Sequence, residues 1–343
     1  MHDWLSVLPS DHPGGEGDAM RHAILLHRCF DGSEMRWSDA LVARTRRHVG
    51  GCLTAVEMTL RLDLASAGSL HLNDLPDALC WARVRHDPAL LGASLLAHMR
   101  DRAALGLMGQ DHAFADALEE SAPHLGASTQ EALVALALAQ AGWADAGPDE
   151  TLLRADMPAE AMPELVWTAG AIIADALLSA GQPPADLGLI DRACSSLLAR
   201  HDEHHMPFAQ AALLAHRLRA QAIDDAQLLA LARRRHVLAL LGIAADRLGL
   251  ELPCLVRHMV EGTEQTLFTL CRAAQFPREV AVRLVLGRRC VARGVDDSVL
   301  VDYADDYEMM TLAEARDALT LLGLSAPLRI RLAHVRARTH HGL

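Results

Sequence analysis

With 343 residues, 51% of them apolar and only 3% aromatic, the chain is long enough for a large core but poor in strand-forming residues. All 32 basic residues are arginine, which excludes a Walker A phosphate loop, a Schiff-base lysine and a protein-kinase catalytic lysine. The formal net charge of -12 argues against nucleic-acid binding by the whole surface, because phosphates would meet net repulsion.

The charge is unevenly distributed along the chain. Residues 1–199 hold 13 Arg against 27 acids, whereas residues 200–343 hold 19 Arg against 17 acids. Four arginines near the C-terminus, Arg329, Arg331, Arg336 and Arg338, are typical of a solvated helix face, with a local nucleic-acid patch as the alternative.

The seven cysteines are odd in number, widely spaced and form no Cys-x-x-Cys pair. This usage predicts small buried hydrophobic side chains in a reducing cytoplasm. The N-terminus lacks a basic region followed by an apolar run, so no secretion signal is expected. Apolar runs such as 132–139 and 165–174 are too short to span a bilayer, so a soluble cytoplasmic protein without membrane association is expected.

The first part of the chain predicts a helical bundle. Residues 1–18 are rich in Pro and Gly and predict a mobile lead-in, followed by a helix over 19–30. Ser38 predicts the cap of a long helix that reaches Leu64, with a break at Gly50-Gly51. Long paired helices near an N-terminus often associate with a second copy, which favours a homodimer.

Further helices are predicted up to a boundary near the middle of the chain. Two helices lie in 74–108, and a capping box of Ser128 and Glu131 opens an Ala-rich helix that reaches Trp143. Gly147 and Pro148 mark a boundary within 146–150. The predicted division is a mobile segment over 1–18, an N-terminal bundle over 19–145 and a C-terminal repeat domain over 150–343.

The second part predicts short helices joined by tight turns. Helices are expected over 163–180, 186–200 and 207–222, with Asp224 as the next cap, and pairs recur roughly every 35 to 45 residues, as in two-helix solenoids. Between residues 252 and 323, the start and stop signals are Pro253, Gly262, Thr263, Pro277 and Gly294, followed by a Thr311–Glu314 capping box and Gly323.

The stretch LELPCLVRHMVEGTEQTLFTLCRAAQFPREVAVRLVLGRR resembles an uncharacterised bacterial family, domain of unknown function 2336. The resemblance lies in a glycine before a capped helix and in a proline-started helix that ends in Leu-Val-Leu-Gly, and it covers residues 228–322. It implies a helical, HEAT-like arrangement and brings no reaction and no site residues. The predicted fold is all-α, with an N-terminal helical bundle followed by a HEAT-like repeat array.

The strongest candidate for chemistry is the run of His201, Asp202, Glu203, His204 and His205. Imidazoles and carboxylates are ligands for divalent first-row metals, so His201, His204 and His205 predict a metal site, which Glu203 or His216 can complete. The order of residues differs from the His-Glu-x-x-His motif of zinc hydrolases, and Pro207 indicates a loop. The alternative is a polar interhelix loop that binds metal only adventitiously.

The acidic run near the C-terminus and His48 are weaker candidates for chemistry. The acidic run Asp296, Asp297, Asp302, Asp305, Asp306 and Glu308 lacks the spacing of an EF-hand, and the apolar stripe beside it favours a solvated helix face. His48 suggests histidine phosphotransfer, but no accompanying motif is present, which favours a surface or interface histidine. Trp81, Trp143 and Trp167 lie in apolar helical contexts and are predicted to be core residues.

The leading functional prediction is a non-enzymatic cytoplasmic scaffold or regulatory module that binds an unknown protein partner. Helical repeat proteins bind partners through a large contact surface, so such a protein needs no catalytic sequence motif. A metal-dependent enzyme or sensor at the histidine run and a dimeric signalling protein with a phosphotransfer-like bundle are the alternatives. No resident cofactor is expected, apart from a divalent metal in the first alternative.

Overall fold

In the computed structural model, the structure describes residues 37–68, 75–109, 126–182, 185–292 and 297–320, together with a few isolated positions. Within them the chain is all-α, as predicted, and Trp37 and Ala292 form an isolated antiparallel bridge. The α-helices are α1 Asp39–Ser66, α2 Leu79–His86, α3 Ala93–Gly109, α4 Ala127–Gln140, α5 Met162–Ser179, α6 Ala185–Ala199, α7 Pro207–Ala220, α8 Asp225–Arg233, α9 Val237–Leu248, α10 Leu252–Glu261, α11 Glu264–Ala273, α12 Arg278–Gly287, α13 Asp297–Met309 and α14 Leu312–Ala318.

Several sequence predictions lie outside the described residues: the segment 1–18, the helix over 19–30, the stop signals Gly294 and Gly323, and Arg329, Arg336 and Arg338 of the basic tail.

Side-chain caps fix the starts of several helices. The Ser38 hydroxyl accepts a hydrogen bond from the Leu41 amide at 3.2 Å, and Thr263 caps α11 in the same way. Asp224 and Thr311 form complete capping boxes with Gln227 and Glu314. Each cap satisfies an amide that the first helical turn leaves without an intrahelical acceptor, and these predicted caps are confirmed.

Two predicted helix boundaries are wrong. α4 begins at Ala127 and its cap residue, Gly126, makes no side-chain hydrogen bond, so the predicted capping box of Ser128 and Glu131 does not form. α1 runs without a break over 28 residues through Gly50 and Gly51. A Cβ at either glycine would approach the chain around Asp149–Leu153 more closely than 3.0 Å, so these glycines serve close packing and not a helix break.

Helix α1 is the centre of the first part of the molecule. It packs against α2, α3, α5 and α6 and buries an apolar face that includes Leu53, Val56 and Leu60. Glu57 of α1 accepts the amides of Leu79 and Cys80 through its carboxylate and so completes the start of α2.

The remaining helices pack mainly against neighbours in the chain. α9 contacts α7, α8 and α10, and α11 contacts α12, α13 and α14. Arg100 of α3 pairs with Glu261 at the end of α10, which joins the first helices to the later ones. Buried apolar residues form a continuous core on both sides of residues 146–150, and the division into two domains there stays a prediction.

Candidate functional site

The predicted metal ligands form the loop between α6 and α7. The His201 ring nitrogen Nε2 lies 2.9 Å from the Met157 carbonyl oxygen, so this nitrogen is engaged by the backbone. The Asp202 carboxylate accepts the His204 amide at 2.9 Å, which lowers the pKa of Asp202. The Glu203 carboxylate accepts the Ala159 amide at 3.0 Å. Three of the candidate residues therefore shape the loop with their own hydrogen bonds.

The remaining candidate ligands of the metal site are exposed. His204 and His205 face solvent, and Nδ1 of His216, on the exposed face of α7, lies 3.0 Å from an Arg219 guanidinium nitrogen. In the part of the chain that the structure describes, no three His, Cys, Asp or Glu side chains are grouped to hold a metal ion. Metal binding at His201, His204 and His205 stays a prediction.

The acidic run lies on the outer face of α13. Asp302, Asp305, Asp306 and Glu308 are exposed, and Asp305 pairs with Arg278 at 2.5 Å. The opposite face buries Leu300, Ala304 and Tyr307. These described residues confirm a solvated helix face, while Asp296 lies outside the described residues and the side chain of Asp297 is not described.

His48 is in the interior of the molecule, so the expected surface or interface position is wrong. Its side chain is 0% exposed, and Nε2 lies 3.2 Å from the Trp143 carbonyl oxygen. Burial, and then the nearby positive charge of Arg102, hold the pKa of His48 well below its ordinary value. The ring is therefore neutral near pH 7 and takes part in packing, whereas phosphotransfer requires an exposed imidazole.

The residues around His48 hold a non-helical segment, 145–157, which we call the strap. The strap crosses α1 at Gly50 and Gly51, where the Leu153 amide donates to the Gly51 carbonyl at 3.0 Å. Arg47 pairs with Asp145 and donates to the Thr151 carbonyl at 2.7 Å. The two glycines thus let the strap lie directly on the helix backbone while arginine anchors it.

The inner end of the strap is held by a buried ion pair. Arg102 of α3 is 0% exposed, lies 2.6 Å from the Asp156 carboxylate and donates to the Arg154 carbonyl at 2.9 Å. Trp143 donates its indole N–H to the Asp156 carboxylate at 3.0 Å. The Arg102 guanidinium carbon lies over the Trp143 ring, 5.7 Å from the ring centre. Because the charges neutralise each other, this buried network fixes the strap on the helices.

Sequence reasoning missed the strap because its contacts join residues about 100 positions apart. The sequence contains the arginine pair Arg46-Arg47 before Gly50-Gly51 and several aspartates in 145–156. Nothing in either pattern predicts that these residues pair with each other. The available signal is the presence of arginines in α1 and α3, Arg46, Arg47 and Arg102, together with acids in a segment that has the Gly and Pro of a domain boundary.

The outer surface holds exposed apolar residues on two helices. On α4, Val134 is 52% and Leu138 is 71% exposed, although the inner face of this helix already packs against α7. On α5, Trp167 is 42% and Leu178 is 48% exposed. Trp81 and Trp143 are buried as predicted, whereas the prediction of a core position for Trp167 is wrong.

Within the described residues, α5 is the one helix that is long and apolar enough to cross a membrane by length and composition. Its mean hydropathy over 18 residues is 1.2, and 44% of that window is buried inside the fold. Core helices of soluble proteins meet the same criterion, and α5 packs against α1, α2 and α6, so this is weak evidence of a membrane span.

Comparisons with protein-family models, with curated proteins and with solved structures find no match for this chain.

Proposed function

We propose that this chain is a non-enzymatic cytoplasmic scaffold or regulatory module that binds a protein partner through the outer face of α4. The observation that carries the proposal is the exposure of Val134 and Leu138 on a helix whose inner face is already packed against α7. An apolar outer face is unusual for a helix on a water-facing surface, and such faces often mark contact sites.

The composition of α4 supports this proposal. Its sequence, ASTQEALVALALAQ, has one charged residue, Glu131, so little polar surface opposes desolvation of the outer face. Val134 and Leu138 are one helical turn apart, and the exposed Ala137 between them allows the backbone of a partner helix to approach closely. Full burial of a Val or Leu side chain contributes roughly 1.5–3 kcal/mol, so this face is suited to be the apolar centre of a larger interface.

We infer a HEAT-like arrangement for α8–α14, in which each short helix is buried by its chain neighbours. The packing of α9 on α8 and α10, and of α12 on α11 and α13, supports this inference. Such an array would provide a rigid support for the binding helix, because α9 packs directly against α7, which carries α4.

Affinity purification of the full chain from its native cells, with quantitative mass spectrometry, tests the proposal. We expect Leu138→Glu to reduce the recovered partner at least tenfold, because a carboxylate would be buried in the interface. Leu62→Glu on α1 is the matched control, since Leu62 is 63% exposed and the substitution is identical. Equal recovery with both variants would contradict the proposal.

Sedimentation velocity of the purified chain distinguishes the case in which the partner is a second copy. A dimer that is lost in Leu138→Glu and kept in Leu62→Glu would identify the partner as the chain itself. A dimer that both variants keep would place self-association on another surface.

A further inference from the structure

The three ion pairs between the strap and the helices beneath it have the same orientation, with the acid on the strap and the arginine on a helix. Asp145, Asp149 and Asp156 belong to the strap, whereas the arginines that pair with them, Arg47, Arg46 and Arg102, belong to α1 and α3. Each pair therefore joins an acidic extended segment to a basic helical surface. The strap and the helical surface therefore have complementary charges, as a bound peptide and its binding site have, although both belong to one chain.

The strap has a buried inner part and a more exposed outer part. Leu153, Asp156 and Met157 are no more than 5% exposed and anchor the inner part. In the outer part, 145–152, the Arg46–Asp149 pair is 3.6 Å long and its side chains are 35% and 28% exposed. Water and salt weaken this contact, whereas Arg47, whose side chain is 2% exposed, holds Asp145 and Thr151. The outer part therefore lifts only when the Arg47–Asp145 pair is broken as well, while Trp143 and Leu153 stay anchored.

The surface beneath the strap offers more donors than the outer strap uses. Within the described residues, the Nε atoms of Arg46 and Arg47 are buried N–H donors that have no hydrogen-bond acceptor. Buried donors without acceptors are unfavourable, so a segment that supplied further carboxylate or carbonyl oxygens here would bind more strongly than the strap does.

We propose that the face of α1 formed by Arg46, Arg47 and Gly50-Gly51 is a binding site for an extended acidic segment of a partner protein, and that residues 145–152 occupy it in cis. The glycines leave the helix backbone open to a bound chain, as the Leu153–Gly51 hydrogen bond demonstrates. The site is separate from the apolar face of α4, so it adds a second, internally blocked contact.

The test uses a fluorescein-labelled synthetic peptide with the sequence of residues 144–153, ADAGPDETLL, and the full-length chain. Fluorescence anisotropy is measured with the wild type, with the double variant Asp145→Asn/Asp149→Asn and with Asp175→Asn. Asp175 is an exposed acid on α5, away from the strap, and provides the matched control. We expect saturable binding to the double variant alone, because only that variant weakens the competing strap.

Two further measurements identify the site and the chemistry of binding. Adding Arg46→Ala to the double variant should weaken peptide binding about two- to fivefold, the effect expected for one partly exposed ion pair. A peptide with both aspartates replaced by asparagine should bind more weakly. Leu138→Glu, added to the double variant, should leave peptide binding unchanged, which separates this site from the function proposed for α4.

A double variant that keeps its helical circular dichroism but binds no peptide would overturn the proposal. Equal binding of the original peptide and of the peptide with both aspartates replaced by asparagine would also overturn it. If the double variant does not fold, the single variant Asp145→Asn carries the same test, because it removes the carboxylate partner of Arg47 and leaves the Arg46–Asp149 pair in place.

Discussion

Replacing Gly106 by alanine tests the close contact between α3 and the chain at Trp143. An alanine Cβ at this position would lie closer than 3.0 Å to the carbonyl group of Trp143. That carbonyl accepts hydrogen bonds from Arg44 and His48, each at 3.2 Å. The chain at Trp143 would have to move away, and both hydrogen bonds would be strained or lost.

The expected magnitude combines opposing effects. Alanine favours a helix over glycine by about 1 kcal/mol, whereas overpacking costs about 1–3 kcal/mol. Two weakened hydrogen bonds cost about 1 kcal/mol each. We therefore expect Gly106→Ala to lower the free energy of unfolding by about 2–4 kcal/mol, measured by urea denaturation followed by circular dichroism.

The matched control is Gly188→Ala in the exposed part of α6. The nearest atom to its added Cβ is an Arg192 guanidinium nitrogen at 3.7 Å, which is ordinary contact. Only helix propensity should act there, so this variant should be about 0.5–1 kcal/mol more stable than the wild type. A Gly106→Ala protein as stable as Gly188→Ala would refute the close contact at Trp143.

Three further outcomes are expected. Burial lowers the pKa of His98 to about 3, so the neutral ring stabilises the fold fully above pH 6.5 and this stabilisation is lost as the pH falls. At pH 5 the free energy of unfolding should be about 1–2 kcal/mol lower than at pH 7. Urea denaturation of His98→Leu should show a smaller dependence of this free energy on pH. Asp156→Asn should destabilise the fold by about 3–5 kcal/mol, because it leaves Arg102 buried without its carboxylate, whereas Arg46→Ala should cost less than about 1 kcal/mol in the same urea assay. His201→Ala should lower the thermal midpoint by removing the contact with the Met157 carbonyl, and EDTA should leave the wild-type midpoint unchanged; a midpoint that falls with EDTA would support the predicted metal site.

The local features of the fold could be predicted from sequence because their causes are local. Asp224 and Thr311 cap helices through residues three positions away, so a short window contains both partners of each capping box. The buried stripes of α10 and α12 likewise follow from helical periodicity within about ten residues.

The strap could not be predicted, because the physical reason for each of its residues lies far along the chain. A Gly-Gly pair inside a helical pattern usually lowers helix propensity, and only the structure reveals that the strap occupies the space left by the missing side chains. The apolar composition of the helix predicted over 163–180 favours core positions, but periodicity cannot reveal that Trp167 lies on the side without a covering element.

Photo-crosslinking in living cells tests the proposed binding face of α4 most directly. A benzophenone amino acid is introduced at position 138, and in a matched protein at position 192, which lies on the exposed face of α6. We predict that position 138 crosslinks to one protein in high yield and that position 192 does not. No crosslinked protein at position 138, or the same products at both positions, would contradict the assignment of α4 as the binding face.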